Sequence, residues 1–393
     1  MGKNKHFNIL FFFGLVFFFV FQSCSLFDNE QNTMKMTFPE SGTKCEIGKS
    51  VTIRWETDDR IDEVLIELIT KSLSPLTIAD NALNTGEYEW SIPANFPYGN
   101  DFSIRISDVD DPEDYTISEP PFILFKYIEF NDANLVEQIK THVNDNGKIS
   151  TYELVQLSIF SVEQVNDLTG MEYCDSLYAF SIKDSDLNDL NPISNLDKLV
   201  NLFLDNLTVV NASSLSNLTE LTYFQLSNSN LQDLEFLSHM TQLRGLNIRH
   251  NPINNLDPIV NLVNLRFLDL TLCKIPDITK IGELKNLEKL LLQNVKPDNI
   301  DALAELSKLK YIDLSRNELT NINALENLVN IDTVNLSHNY YYGISLRPLV
   351  NNLGLNTGDV LYFMGNFIYS PTVDIATLLN RGVRVIFSPS TFD

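Results

Sequence analysis

The feature that most constrains the fold is an apolar residue that recurs every 22 positions through the C-terminal half of the chain. The eight members of this series are Leu177, Leu199, Leu221, Leu243, Leu265, Leu287, Leu309 and Ile331. Within a unit the pattern is L-x-x-L-x-L-x-x-N-x-I-x-x-L-x-x-I-x-x-L, as in the unit that begins at Leu243. A single unit cannot bury its own apolar face, so successive units must stack. The period predicts a solenoid in which each unit contributes one short strand.

The ninth position of each unit lies where the chain bends after the strand. Asn251, Asn317 and Asn339 occupy it, and an amide there can bond backbone groups that the bend leaves unpaired. Cys273 stands at the same position, so we expect a buried ladder residue rather than a disulfide partner. Leu207 and Val295 also fall there, and they should interrupt the ladder.

These repeats resemble the internalin-type leucine-rich repeats of bacterial surface proteins. The resemblance implies a right-handed solenoid over residues 171–393, with little room for helices on its convex side. It also implies a helical N-terminal cap over residues 126–170, where Leu135 and Ile139 share one helix face and Ser150 begins a capping box. After Asn339 the period lengthens, and we expect one further coil and then a closing helix and strand over residues 378–387.

Residues 34–125 show a period of two instead. Alternating apolar residues predict strands around Ile53, Ile66, Trp90 and Ile104, with turn residues between them. Several short strands of this kind indicate a β-sandwich. The predicted fold class is therefore mainly β, an immunoglobulin-like sandwich followed by a leucine-rich-repeat solenoid.

The order of motifs in the sandwich is more specific than its class. Phe38-Pro39, the run from Ile47 to Trp55, and the run from Asn84 to Pro93 resemble the Ser/Thr-rich GPI-anchored family domain. That family is related to the N-terminal domain of fungal cell-wall β-glucan synthesis proteins. The resemblance implies an immunoglobulin-like sandwich in an extracellular protein and supplies no catalytic residues. Trp55 and Trp90 are in phase with buried strand faces, although an exposed indole could stack on a sugar.

The N-terminal residues have the pattern of an export signal. Lys3 and Lys5 precede an apolar stretch from Phe7 to Phe21, which is too short to span a membrane and has the length of a signal-peptide core. The following Gln22-Ser23-Cys24 resembles a bacterial lipoprotein signal, which implies cleavage after residue 23 and lipid on the Cys24 thiol. Residues 24–33 are expected to be a tether, and an uncleaved anchor or an ordinary signal peptide remains an alternative.

Composition excludes several functions. The chain has 52 acidic and 28 basic residues, a net charge of −24, which argues against nucleic-acid binding. The five histidines show no catalytic or metal-ligand spacing, so we expect no enzyme, no cofactor and no metal. The acidic run 108–114 could ligate calcium but lacks a known loop motif, and a solvated turn is the better interpretation.

Large apolar residues stand at strand positions that should face outward on the concave sheet. These candidate protein-binding residues are Phe203, Tyr223, Phe267, Leu291 and Tyr311. The alternative is that stacked rings merely stabilise neighbouring strands. Tyr340-Tyr341-Tyr342 form a second candidate surface, unless they pack on the C-terminal end. The sequence thus predicts a monomeric, lipid-anchored, extracytoplasmic protein on the outer membrane or cell surface. It would bind a protein partner through the solenoid, or alternatively a glycan through the sandwich.

Overall fold

The computed structural model describes two compact units. The described residues are 34–57, 60–71, 74–143, 147–187, 189–208, 212–339, 345–366 and 373–387. The first unit contains the described residues up to Asn95 together with Asn100–Ile123, and the second contains Phe96–Gly99 and the chain from Leu124 onward. The export signal, Cys24, the tether and Tyr340-Tyr341-Tyr342 lie outside the described residues.

The first unit is a two-sheet β structure. Its strands are β1 (Lys35–Phe38), β2 (Lys44–Glu46), β3 (Ser50–Glu56), β4 (Glu63–Ile69), β5 (Leu76–Leu83), β6 (Glu87–Ser91), β7 (Gly99–Asp108), β8 (Tyr115–Ile117) and β9 (Phe122–Phe125). One sheet has the order β1-β3-β6. The other has the order β2-β9-β7-β4-β5, and β8 pairs with β7. The four strands expected from the two-residue period are all present.

Alternation along these strands places one face of each sheet in the core. Ile66 of β4 and both Ile104 and Ile106 of β7 are fully buried. Trp55 and Trp90 are only 3% and 6% exposed, and the indole nitrogen of Trp55 donates to Asn84 Oδ1 at 2.8 Å. The expectation of core packing is confirmed for both indoles, and neither is free to stack on a sugar ring.

Two short helices precede the long sheet of the second unit. Helix α1 (Ala133–Lys140) buries Leu135 and Ile139, and Asp132 caps its N-terminus by accepting from two backbone N–H groups. Helix α2 (Thr151–Leu154) begins with the expected capping box between Ser150 and Glu153. These buried residues are continuous with the apolar core of the repeats.

The second unit contains one sheet of eleven parallel strands, in chain order from β10 to β20. They are β10 (Ile159–Glu163), β11 (Ala179–Ser185), β12 (Asn201–Leu207), β13 (Tyr223–Ser227), β14 (Gly245–Asn247), β15 (Phe267–Asp269), β16 (Lys289–Leu291), β17 (Tyr311–Asp313), β18 (Thr333–Asn335), β19 (Val360–Tyr362) and β20 (Arg384–Ile386). From β11 to β18, neighbouring strands pair in register with the 22-residue period, as in Leu246 opposite Leu268. The sheet starts one strand before the first regular repeat, at β10, inside the range expected to form the cap.

At the β10 edge of the sheet, two side chains of helix α1 bond backbone groups that have no neighbouring strand. The amide of Gln138 on α1 accepts from the backbone N–H of Glu163 and donates to its carbonyl, both at 2.9 Å. Asn134 Nδ2 donates to the carbonyl of Gln164 at 2.8 Å. Since an edge strand exposes unpaired backbone groups, these amides replace part of the missing neighbour.

Short 3₁₀ helices return the chain on the opposite side of each coil. They span Met171–Tyr173, Asn191–Ile193, Ser213–Asn217, Glu235–Leu237, Asp257–Asn261, Thr279–Glu283, Asp301–Glu305 and Asn323–Asn327. A 3₁₀ turn needs few residues, and this is why a 22-residue unit can close without a longer α-helix. The expectation of little convex helix is confirmed.

The residue ladder at the ninth position is formed by buried side chains. Asn317 is fully buried, accepts from the backbone N–H groups of Val295 and Lys296 at 2.9 and 2.8 Å, and donates to the carbonyls of Leu292 and Leu314. The thiol of Cys273 donates to the carbonyl of Ile248 at 3.2 Å, which is one of the bonds that an Asn makes here. Asn317 and Cys273 therefore each tie two coils together.

The C-terminal end departs from the period as the sequence indicates. Helix α3 (Arg347–Asn351) lies in the longer unit, and Asn366 accepts from the backbone N–H of Asn339 at 2.8 Å, so the ladder continues into the coil of β19. Helix α4 (Val373–Asn380) and strand β20 follow as the closing elements. Among all the residues described, no helix has both the length and the apolar character needed to cross a membrane.

Candidate functional site

The candidate site is the outward face of the long sheet. In β14 the side chain of Leu246 points into the core, so its neighbours Gly245 and Asn247 lie on the opposite face. The same holds for the third and fifth positions of each unit, because every strand keeps the register of the previous one. Side chains at these positions form two rows across the sheet.

Four aromatic rings and one lysine form a continuous line on this face. The ring centroids of Phe203 and Tyr223 are 5.1 Å apart, and those of Tyr223 and Phe267 are 6.3 Å apart with their planes only 9° from parallel. The Lys289 ammonium lies 5.6 Å from the Phe267 centroid and 5.0 Å from the Tyr311 centroid. We call Phe203, Tyr223, Phe267, Lys289 and Tyr311 the aromatic row. The structure thus brings together four of the five residues named from the sequence.

Leu291, the fifth of those residues, lies beside the row rather than in it. It is half-buried at the fifth position of β16, on the same strand as Lys289. Lys289, rather than Leu291, lies between the rings of Phe267 and Tyr311. A cation can bridge two rings through its attraction to their π faces, and residue type alone did not indicate this contact.

Gly245 is the other residue that the sequence analysis did not single out. It lies on β14 between Tyr223 and Phe267, and the three residues are consecutive at the third position. A Cβ at position 245 would lie 2.5 Å from Cδ2 of Tyr223, so the Tyr223 ring occupies the space above the glycine. The two rings therefore meet at 6.3 Å, although a simple strand count places them about 10 Å apart. The sequence did contain one indication of this contact. A glycine inside a strand often marks a position where another group closely approaches the backbone.

Burial changes the acidity of the two tyrosines in the row. Burial raises the pKa of Tyr223 and outweighs the opposing effects of a hydrogen bond with Asn247 and of the nearby Arg249. Burial also raises the pKa of Tyr311, with Asp313 adding to the effect. Both phenols therefore stay neutral at physiological pH and can act as hydrogen-bond donors on a half-buried apolar surface.

A polar network lies beside the row on strands β12 and β13. Asp205 Oδ1 accepts from Ser227 Oγ at 2.6 Å and from Asn228 Nδ2 at 2.9 Å, and Gln225 donates to Ser227 Oγ. Burial opposes the charge of Asp205, but the two hydrogen bonds and the nearby Arg249 outweigh burial and lower its pKa. This network holds Asp205 ionised and fixes the side chains around Tyr223.

The eighth position of each unit forms the margin of the sheet. Residues there adopt a left-handed backbone, including His250 with φ 56° and Leu272 with φ 62°. A groove of about 600 Å³ opens along this margin between Asn206 and Lys274, lined mainly by asparagine side chains. His250 hydrogen-bonds Asn228 across neighbouring coils, at this margin of the sheet.

The remaining sequence candidates supply no reactive centre within the described residues. Cys45, Cys174 and Cys273 are free and buried, and burial raises the pKa of Cys273 to about 11, so its thiol stays protonated. In the acidic run, Asp108 and Asp111 accept from nearby backbone N–H groups of the same turn. In the part of the chain that the structure describes, no group of three His, Cys, Asp or Glu residues could hold a metal ion.

Comparison with known proteins identifies both units by similarity. Residues 38–120 match the family model of the Kre9/KNH-like N-terminal Ig-like domain. A comparison with curated proteins found no match. Among solved structures, an internalin (inlF) from Listeria monocytogenes is similar with a TM-score of 0.60 and 26% identity, covering 67% of this chain and 78% of that one.

A second internalin structure is also similar. Internalin C2 (inlC2) from the same organism has a TM-score of 0.49 and 26% identity, covering 53% of this chain and 94% of that chain. The first internalin and the eleven-stranded parallel sheet agree with the resemblance seen in the repeats.

Proposed function

The chain joins a Kre9/KNH-like Ig-like domain to an internalin-type leucine-rich-repeat domain, and from this premise we propose that it is a cell-surface protein that binds a protein partner. The partner would lie on the outward face of the long sheet, which is the concave face of such a solenoid. The proposal is one of binding, with no catalytic step.

The observation that carries this proposal is the aromatic row. Its rings are half-buried, although residues at the same positions face water in a solenoid sheet. Removing the remaining apolar area from water would contribute about 25 cal/mol per Å², and aromatic anchors commonly dominate the energy of protein interfaces. Stacking between the rings holds them in place before a partner arrives, so little side-chain entropy is lost on binding.

The proposal also covers how the protein is attached to the membrane and how the solenoid is capped. We infer that residues 1–23 are removed as a signal, that Cys24 carries lipid, and that residues 24–33 tether the protein to the outer membrane or cell surface. Helices α1 and α2 would cap the solenoid, because their buried residues continue its core and Gln138 closes the edge of β10. The protein would act as a monomer.

Glycan binding through the sandwich has less support. The sequence argument for it rested on Trp55 and Trp90, and burial of both indoles removes the surface that would stack on a sugar. The aromatic row is therefore the stronger candidate surface in the described part of the chain.

Site-specific photo-cross-linking on intact cells tests the proposal. A photoreactive amino acid is placed at Leu291, beside the row, and in a matched protein at Glu283, which is exposed on the 3₁₀ helix Thr279–Glu283. We expect a discrete cross-linked protein from position 291 and none from position 283. Equal products from both positions, or none from position 291, would contradict the proposal.

A further inference from the structure

Exposed cations lie on the outward sheet face and at the ends of its strands. Arg244, Arg266 and Lys310 stand at the second position of their units, immediately before the strands, and Arg249 follows β14. Lys289 lies within the row itself. All five side chains are exposed, in a chain whose net charge is −24.

The carboxylates at the fifth and seventh positions beside the row are engaged in internal bonds. Asp269 is 6% exposed and its Oδ1 accepts from the backbone N–H of Thr271 at 2.9 Å. Asp313 accepts from the backbone N–H of Ser315 at 2.8 Å and from Asn335 Nδ2 at 3.0 Å. Asp205 is likewise bound by Ser227 and Asn228. A carboxylate that already accepts such bonds has less capacity left for a partner.

Ion pairing divides the five cations into two groups. Glu288 lies 3.5 Å from Arg266 and 2.9 Å from Lys310, so these two share one carboxylate. Arg244, Arg249 and Lys289 form no ion pair with any carboxylate among the described residues, although Arg249 is near enough to lower the pKa of Asp205. Lys289 and Arg249 thus lie near the Tyr223–Phe267 part of the row, and Arg244 directly precedes Gly245 in the chain.

Building on the proposed function, we propose that the segment held on this face is an acidic stretch of polypeptide that also carries apolar or aromatic side chains. Its carboxylates would pair with Arg244, Arg249 and Lys289, and its apolar side chains would cover the ring edges. Charge complementarity of this kind contributes mainly to specificity and association rate. Ionic screening acts over about 8 Å in physiological salt, so a docked segment is affected mainly by the charges of this face. The cations there are exposed, whereas Asp269 is buried and Asp205 and Asp313 are half-buried and hydrogen-bonded.

The packing of the rings favours a peptide over an acidic glycan. A sugar stacks on the flat face of a ring, but Tyr223 lies between the rings of Phe203 and Phe267. Phe267 likewise lies between Tyr223 and Lys289. Ring edges remain, and edges are suited to contacts with aromatic or aliphatic side chains.

Binding of defined charged polymers tests this inference. The full-length protein is titrated against a fluorescent glutamate–tyrosine copolymer, a lysine–tyrosine copolymer of equal length, and polygalacturonate, with anisotropy as the readout. We expect binding of the glutamate–tyrosine copolymer, and a loss of at least about tenfold in its affinity in the double variant Arg244→Glu, Arg249→Glu. The control is Lys198→Glu with Lys285→Glu, which changes the net charge equally at exposed sites away from the row.

Each other outcome would overturn the acidic-peptide proposal. Binding of neither copolymer, preference for the lysine–tyrosine copolymer, or equal losses in both double variants would show that the cations do not select the ligand. Tighter binding of polygalacturonate would assign them to an acidic glycan instead. If cross-linking at Leu291 captures a partner whose binding ignores Arg244 and Arg249, the proposed function stands and this inference fails.

Discussion

The ring of Tyr223 lies over Gly245, the residue that pairs with it on the next strand. Because Gly245 has no side chain, Tyr223 reaches across β14 and stacks on Phe267, two repeat units further along the chain. One glycine thus converts separate rings into a continuous apolar surface.

Replacing Gly245 with alanine should displace the Tyr223 ring. The new Cβ would lie 2.5 Å from Cδ2 of that ring, so the ring must rotate away and its stack on Phe267 is lost. We expect a changed near-ultraviolet circular dichroism spectrum and a loss of about 1 kcal/mol in the free energy of unfolding. Thr333→Ala, at the same strand position outside the row, is the control. Identical spectra for Gly245→Ala and the native protein would show that the contact is unimportant.

Removing the three ring side chains at the third position should affect binding more than folding. The combined variant Tyr223→Ala, Phe267→Ala, Tyr311→Ala is expected to weaken partner binding by several kcal/mol. Since the rings also stack, unfolding free energy should fall by about 1–3 kcal/mol. Tyr178→Ala, an exposed tyrosine outside the row, should change neither quantity appreciably. A sharp fall in melting temperature with unchanged affinity would make the rings sheet stabilisers only.

Asn317→Leu tests the ladder. The substitution leaves the N–H groups of Val295 and Lys296 and the carbonyl of Leu292 without their side-chain partner inside the coil. We expect a cost of about 1–3 kcal/mol in urea unfolding. Asn254→Leu changes the same residue type at an exposed position and should cost less than about 0.5 kcal/mol. Equal midpoints for the two variants would refute the role assigned to Asn317.

Asp132 should make the stability of the second compact unit, which contains the repeats, decrease at acidic pH. Burial opposes its charge, but four backbone N–H groups, from Asn166, Leu135, Asn134 and Asp167, outweigh burial and lower its pKa. A lowered folded-state pKa stabilises the fold above the ordinary aspartate pKa of about 3.9, and this contribution is lost as pH falls through the folded value.

Asp132→Asn therefore should cost about 1–2 kcal/mol at pH 7 and progressively less below pH 4. Urea unfolding at a series of pH values measures this, with Glu137→Gln, an exposed residue of α1, as the control. A difference between Asp132→Asn and the native protein that stays constant down to pH 2 would contradict the assignment.

Cys24→Ala tests the anchor. If the Cys24 thiol receives lipid, the variant should move from the membrane fraction to the soluble extracytoplasmic fraction, and metabolic labelling with a radioactive fatty acid should disappear. Ser25→Ala leaves the thiol in place and is the control. Membrane association of Cys24→Ala equal to that of the control would mean that Cys24 is not the attachment point.

The sequence by itself determined the solenoid, because a strict 22-residue period of apolar residues leaves stacking as the only way to bury them. It also determined that Asn317 and Cys273 are ladder residues, since their spacing from the strand places them in the bend. Alternation with a period of two determined the sandwich strands and the burial of Trp55 and Trp90.

Only the tertiary structure decided how side chains on the sheet meet. Spacing puts Tyr223, Phe267 and Tyr311 on one face, but ring direction depends on the volume left by neighbours on adjacent strands, which are 22 residues away in sequence. Gly245 opens one gap and Lys289 closes the next. The same is true of charge: Arg244 and Arg266 occupy equivalent positions, yet Glu288 lies near Arg266 only. Periodicity specifies the backbone position of a residue, whereas rotamers and partners depend on packing between coils.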